Sequence, residues 1–203
     1  MKINLEKVGK KYGRNWIFRD LTLEIPENIS WAITGHNGSG KSTLLQIISS
    51  FSDPTIGKIT YNNSEPIHQI SYAAPYLELI EELTLLEHLQ FHFTFKKPTM
   101  QFDEMISRAG LIGSEDKIIS EFSSGMKQRL KLILAFFSET SLLCLDEPTS
   151  NLDEAGIEWY HQEIIKQNNT RTILIASNQR FEFDFCEEKI SIEKYKPVDK
   201  RAG

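Results

Sequence analysis

The chain has 203 residues, 40% of them hydrophobic and 25% charged, and a formal net charge of −5. That is enough chain to bury a full core, as one domain or one domain with an inserted lobe, and its acidic balance excludes a protein built to coat nucleic acid, which needs a broad basic surface. No apolar run reaches the roughly 20 residues that span a bilayer, and two cysteines, Cys144 and Cys186, are too few for a disulfide framework or a cysteine metal cluster.

The first residues alternate polar and apolar like a strand and lack the apolar core of a signal peptide, which predicts a cytosolic protein. Alternation over 2–6 (Ile3, Leu5) and 21–25 (Leu21, Leu23, Ile25) predicts an antiparallel edge sheet with one exposed face. Residues 29–34 read as a buried strand that runs directly into a glycine-rich loop. Leu44, Ile47, Ile48 and Phe51 then mark an amphipathic helix, stopped by Ser-Asp-Pro-Thr at 52–55. Short strands are expected around Lys58–Tyr61 and Gln69–Tyr72.

From about 77 to 137 the pattern turns helical, with Leu85, His88, Leu89 and His92 on one face and Met126, Leu130, Ile133 and Phe137 on another. Apolar strands return at 142–145 and 172–176, on either side of a helix carrying Ile157, Tyr160 and Ile164. The order predicts an α/β fold in one domain. A parallel-sheet core over about 1–76 and 138–192 is interrupted by a helical lobe at about 77–137. Residues 193–203, with Lys194, Lys196, Lys200 and Arg201, read as a loosely ordered tail.

Two segments in this frame carry chemistry. Gly35-His36-Asn37-Gly38-Ser39-Gly40-Lys41-Ser42, followed by Thr43, fits the phosphate-loop pattern G-x-x-x-x-G-K-[ST]. Its glycines let successive backbone N–H groups point inward at phosphate oxygens, and the helix that follows adds its positive end. Lys41 supplies an ammonium for the β- and γ-phosphates, and Ser42 a hydroxyl for Mg²⁺. The second segment, Leu142–Glu147, is an apolar strand ending in two acids. Asp146 can hold Mg²⁺ through its water shell, and Glu147 can polarise the attacking water as general base. Together they predict a chain that binds and hydrolyses a nucleoside triphosphate. His36 is expected to face solvent, and His68, His88, His92 and His161 show no metal-ligand spacing and read as surface or lobe positions.

Over nearly its whole length the sequence resembles the nucleotide-binding subunits of ATP-binding cassette (ABC) transporters. Gly35–Ser42 is similar to that family's Walker A loop and Leu142–Glu147 to its Walker B strand. Phe122-Ser-Ser-Gly-Met126 resembles the family's Leu-Ser-Gly-Gly-Gln signature, and Ser150-Asn-Leu-Asp153 its D-loop. Tyr12 is similar to the aromatic that stacks on adenine. The resemblance implies a P-loop ATPase core with ATP and Mg²⁺ as cofactors, and a head-to-tail pair with a second ABC subunit, identical or not. Each ATP would be sandwiched by the signature of the partner, so that Ser123, Gly125 and Met126 act in trans. It further implies a separate transmembrane permease subunit that holds the chain on the cytoplasmic face of the membrane.

Two positions depart from the family. Pro75 stands where the Q-loop glutamine is expected, leaving Gln69, Glu78 or a water to compensate. Asn178, in Ser177-Asn178-Gln179, stands where a switch histidine is expected. An amide can still donate to a γ-phosphate but cannot become a cation. Both departures predict slow hydrolysis with ATP binding intact. Two other readings stay open: an ATP-gated clamp without appreciable turnover, and a soluble ABC ATPase not engaged in transport.

Overall fold

The computed structural model describes residues 1–62 and 66–197; Lys200 and Arg201 of the predicted tail lie outside them. Strands β1 (Ile3–Tyr12) and β2 (Asn15–Ile25) form an antiparallel hairpin, and β4 (Ile56–Tyr61) pairs with the other edge of β1. Both hairpin strands run further than the alternation suggests, because each is bent by a residue with left-handed backbone. Lys7 (φ 49) and Asp20 (φ 59) break the period-two pattern. The register of β1 shifts between Leu5 and Val8, after which Val8 again points into the core.

A five-stranded parallel sheet forms the centre, in the order β5 (Ile70–Ala73), β6 (Leu142–Asp146), β7 (Thr172–Ala176), β3 (Ser30–Thr34) and β8 (Glu188–Ser191). Strands β6 and β7 are buried throughout, and apolar but for Asp146 and Thr172 at their ends, because both of their faces are covered. Leu142, Cys144, Leu174 and Ala176 face helix α1 (Lys41–Ile48) and the antiparallel sheet. Leu143, Leu145, Ile173 and Ile175 face α4 (Ser124–Phe136) and α5 (Glu154–Gln167). Each such fully buried Leu or Ile contributes about 1.5–3 kcal/mol relative to exposure. Strand β8, which no sequence expectation covers, buries only Ile190.

Between β5 and β6 lie α2 (Leu85–His92), α3 (Phe102–Arg108) and α4. Helix α2 starts at a reciprocal cap: the Glu87 N–H donates to the Thr84 hydroxyl and the Thr84 N–H to the Glu87 carboxylate. His88 is buried on this helix, and burial together with His88 and Lys96 pushes His92 down to about 4. The C-terminal carbonyls of α4 are satisfied by buried Arg171. Its guanidinium donates to Ala135 O, Phe136 O, Ser138 O and the Thr140 hydroxyl.

Two expectations are corrected here. Phe51 does not belong to α1: the helix ends at Ile48, Ser50 turns the chain with φ 62, and Phe51 is 54% exposed with its ring 4.9 Å from that of Tyr72. The predicted tail is ordered at its start, since Ile192–Tyr195 forms a short helical turn with Ile192 fully buried. The last helix, α6 (Arg180–Phe183), follows β7. Among the described residues no helix is long and apolar enough to cross a membrane.

Candidate nucleotide site

The parallel strands end on one edge, so the loops after β3, β5, β6 and β7 open there together, where α/β proteins bind ligands. The loop after β3 is Gly35–Gly40. Gly40 has φ 110, and a Cβ there would stand 2.4 Å from Ile17 Cγ2 of β2; a Cβ at Gly35 would stand 2.6 Å from Ser39 Oγ. Only glycine lets the backbone curl this tightly under the antiparallel sheet. Helix α1 then begins with no side-chain cap and no acid in its first turn. Its leading N–H groups and positive end are thus left for an anion. Lys41 is 5% exposed and its ammonium donates to Gly35 O (3.0 Å) and His36 O (3.4 Å), while Ser42 and Thr43 stand in the same first turn. Ser39 is fully buried with its hydroxyl unpartnered.

His36 and Asn37 lie on the outer side of this loop. The His36 backbone N–H and Nδ1 both meet the Glu193 carboxylate, at 2.9 and 2.6 Å, so His36 ties the loop to the C-terminal turn. Asn37 Oδ1 accepts from the Asn178 amide. Asn178 therefore sits beside the phosphate loop, exposed, in a cleft that Asn37 and Glu147 also line.

Asp146 ends β6 and is 1% exposed. Burial raises its carboxyl above its ordinary value, opposed by the nearby Ser42 and Tyr76 hydroxyls and by the Lys41 charge. One oxygen, Oδ1, has no partner. A buried carboxylate oxygen left free beside a serine hydroxyl is an oxygen-only donor set, which suits a hard cation such as Mg²⁺. Glu147 is exposed, with a left-handed backbone (φ 43) held by its N–H donating to Ala176 O at 2.9 Å. Such backbone strain on a non-glycine residue concentrates at functional sites.

The signature lies elsewhere. Ser123 caps α4, its hydroxyl accepting from the Met126 N–H at 3.2 Å, and Gly125 packs on Asn151, where a Cβ would stand 3.1 Å from the carbonyl. Ser123, Gly125, Met126 and Asn151 line their own depression, which shares no residue with the cleft of Asn37, Glu147 and Asn178. Tyr12 ends β1 at the hairpin tip, 53% exposed, with the Lys10 ammonium 5.4 Å from its ring centroid. Just along the hairpin from Asn15, the register partner of Tyr12, Ile17 and Phe18 pack where the phosphate loop turns.

Three side chains that sequence reading missed gather at Asp146. The Tyr76 hydroxyl donates to Asp146 Oδ2 (3.0 Å), and Tyr72 OH (2.5 Å) and Gln46 Nε2 (3.1 Å) meet it. Burial raises the Tyr76 phenol above its usual value. The proposed compensators for Pro75 are not at this carboxylate: Gln69 Oε1 accepts from the Ser141 hydroxyl at 2.9 Å, and Glu78 is exposed in the cleft beside Lys131. The only sequence signal for Tyr76 is its place next to Pro75. Glu182 was also missed. Its buried carboxylate receives the Thr149 N–H at 2.8 Å and the Thr149 and Ser177 hydroxyls, joining the loops after β6 and β7.

A glycine-rich loop from β3 into an uncapped helix, with β7 between it and the acids at the end of β6, is the arrangement of a P-loop nucleoside triphosphatase. Residues 18–150 match the ABC transporter family, and the chain belongs to that family. It is 32% identical to the ABC transporter ATP-binding protein YybJ of Bacillus subtilis, over 88% of this chain and 86% of that one. It is 28% identical to the cytochrome c biogenesis ATP-binding export protein CcmA of Histophilus somni, over 97% and 95%. In fold it is similar to the ATP-binding cassette MJ0796 solved with ADP and Pi, at a TM-score of 0.80 and 24% identity over 93% of each chain. The chain is an ATP-binding and ATP-hydrolysing subunit of an ABC transporter.

Proposed function

We propose that ATP binds with its phosphates on the Gly35–Thr43 loop and its adenine against Tyr12, that Ser42 and Asp146 hold Mg²⁺, and that Glu147 is the general base. The observation that carries this reading is the pairing of an uncapped α1 start with Asp146, whose Oδ1 is buried and free. Mg²⁺ bound there would neutralise charge on the phosphate oxygens and orient them. Lys41, already loosely held by two loop carbonyls, turns to the phosphates. Glu147 lies exposed at the mouth, where it can take a proton from water.

Ser123, Gly125 and Met126 serve the nucleotide site of a second ABC subunit, as the family resemblance implies; their depression, separate from this chain's own cleft, supports that reading. Residues 77–137 act as the lobe that presents this signature. The pair drives a separate transmembrane permease from the cytoplasmic face, as the family resemblance implies. Turnover is slow, because Pro75 offers no side-chain oxygen and Asn178 is a neutral donor. The test is Mg²⁺-ATP hydrolysis by the purified chain against its own concentration, beside Glu147→Gln. Specific activity that rises with concentration and vanishes in the variant is expected. Activity that is independent of concentration, or that survives in Glu147→Gln, overturns the reading; binding without turnover would make the chain an ATP-gated clamp.

A further inference from the structure

We propose that the Tyr76 hydroxyl is the positioning group of the cation site, fixing the Asp146 carboxylate in place of the absent Q-loop glutamine. The inference rests on the assignment of Asp146 to that site. A phenol has one proton and two lone pairs. Facing a carboxylate at 3.0 Å, Tyr76 must donate, because an ionised carboxylate only accepts. Gln46 Nε2 at 3.1 Å can only donate to it, and Tyr72 OH at 2.5 Å fills the remaining lone pair. Every hydrogen-bonding position of the hydroxyl is used.

The two supports come from separate elements. Gln46 lies one turn along α1 from Ser42, and Tyr72 is the register partner of Cys144, two residues before Asp146. The hydroxyl is thereby held from the helix of the phosphate loop and from the neighbouring strand at once. Its effect on Asp146 is specific: Oδ2 is occupied and the carboxylate cannot rotate freely, while Oδ1 keeps no partner. Because both lone pairs of Tyr76 are taken, it does not itself ligate a cation, and it acts through Asp146.

The same residue joins the site to the lobe. The preceding Pro75 has a fixed φ, and its carbonyl accepts from the Lys131 ammonium of α4 at 2.5 Å. Tyr76 also lines the cleft of Glu78, Glu81, Lys127 and Lys131, and is 50% exposed there. A shift of the 75–82 segment is thus felt at Asp146 through one hydroxyl. A glutamine at position 75 would have made such a link with an amide; here the link is moved one residue on and made by a phenol.

The test uses the full chain, with Mn²⁺ as the spectroscopic probe and the non-hydrolysable nucleotide AMP-PNP. The dissociation constant of Mn²⁺ from the protein–nucleotide complex is read by electron paramagnetic resonance. Tyr76→Phe is expected to weaken Mn²⁺ binding about tenfold, the size of losing one hydrogen bond to a charged group. AMP-PNP affinity measured in EDTA should stay within about twofold, since the phosphate loop is untouched. A merely structural role would move both. Asp146→Asn serves as reference. If Asp146→Asn weakens Mn²⁺ binding while folded Tyr76→Phe matches the parent, the proposal is overturned and the site assignment stands. If Asp146→Asn also matches the parent, the site assignment fails and the proposal with it. Should Tyr76→Phe melt out, Tyr72→Phe decides: about threefold weaker Mn²⁺ binding supports the network, and parental affinity refutes it.

Discussion

The loop after β3 and the loops after β5 and β7 meet at one sheet edge but are built on different principles. The first is built from backbone: Gly35 and Gly40 in conformations that exclude a side chain, an uncapped helix start, and a buried Lys41. The other two act with side chains, and both present neutral groups, the Tyr76 hydroxyl and the Asn178 amide. Backbone geometry tolerates no substitution, whereas a hydrogen bond can be supplied by another residue nearby. The difference predicts that affinity for ATP and rate of its hydrolysis are separable in this chain.

The strongest way to break that separation is a pair of substitutions. Glu147→Gln should lower hydrolysis by about 10²–10⁴-fold with ATP affinity unchanged, because it removes only a proton acceptor. Lys41→Ala should weaken ATP binding itself by tenfold or more, on the order expected for losing a charge-assisted contact. Titration of a fluorescent ATP analogue against both variants reads the contrast. Equal loss of affinity in the two would show that holding and turnover are one function.

Next in size is Asn178→His. An imidazole that can carry charge beside Asn37 and Glu147 should raise kcat about tenfold with KM little changed, a fraction of what one oriented donor is worth. An unchanged kcat would move the limiting step to the Pro75–Tyr76 side.

The two kinds of region also differ in how far they are legible from sequence. The phosphate loop is local: eight consecutive residues specify it, and Gly40 needs only Ile17 above it to explain itself. The Tyr76–Asp146 bond spans 70 residues, and only the pairing of β5 with β6 brings its ends together. Arg171 was equally silent, since a buried arginine capping α4 reads in sequence like any surface cation. The hairpin was half legible, because alternation stops being a guide where Lys7 and Asp20 take left-handed backbone. Phe51 misled because its helical spacing continues past the residue that ends α1.

A smaller effect comes from Ser123→Ala, at the signature. It removes the cap on the Met126 N–H and should cost about 1 kcal/mol, lowering the thermal midpoint by a few degrees. ATP binding by dilute protein should not change, because Ser123 lies outside the chain's own cleft. Concentration-dependent hydrolysis should fall. A variant that loses ATP binding at high dilution would show that the signature serves its own chain.

The smallest effect concerns what holds the holding loop. Hydrogen bonds from the His36 backbone N–H and then from its ring keep the Glu193 carboxyl below its ordinary 4.5. A carboxyl so depressed adds stability above the ordinary value, and the contribution is lost as pH falls through the lower, folded one. The anchorage of the C-terminal turn to His36 should therefore be constant at neutral pH and fade only in acid, below about 4.5. Glu193 is exposed, so screening keeps the effect small. The thermal midpoints of the parent and Glu193→Gln, followed from pH 7 downwards, should differ slightly and converge in acid, once pH has fallen through the lowered carboxyl. A gap that widens in acid would mean that protonated Glu193 holds the loop better than the carboxylate does, and the latch would have the opposite sign.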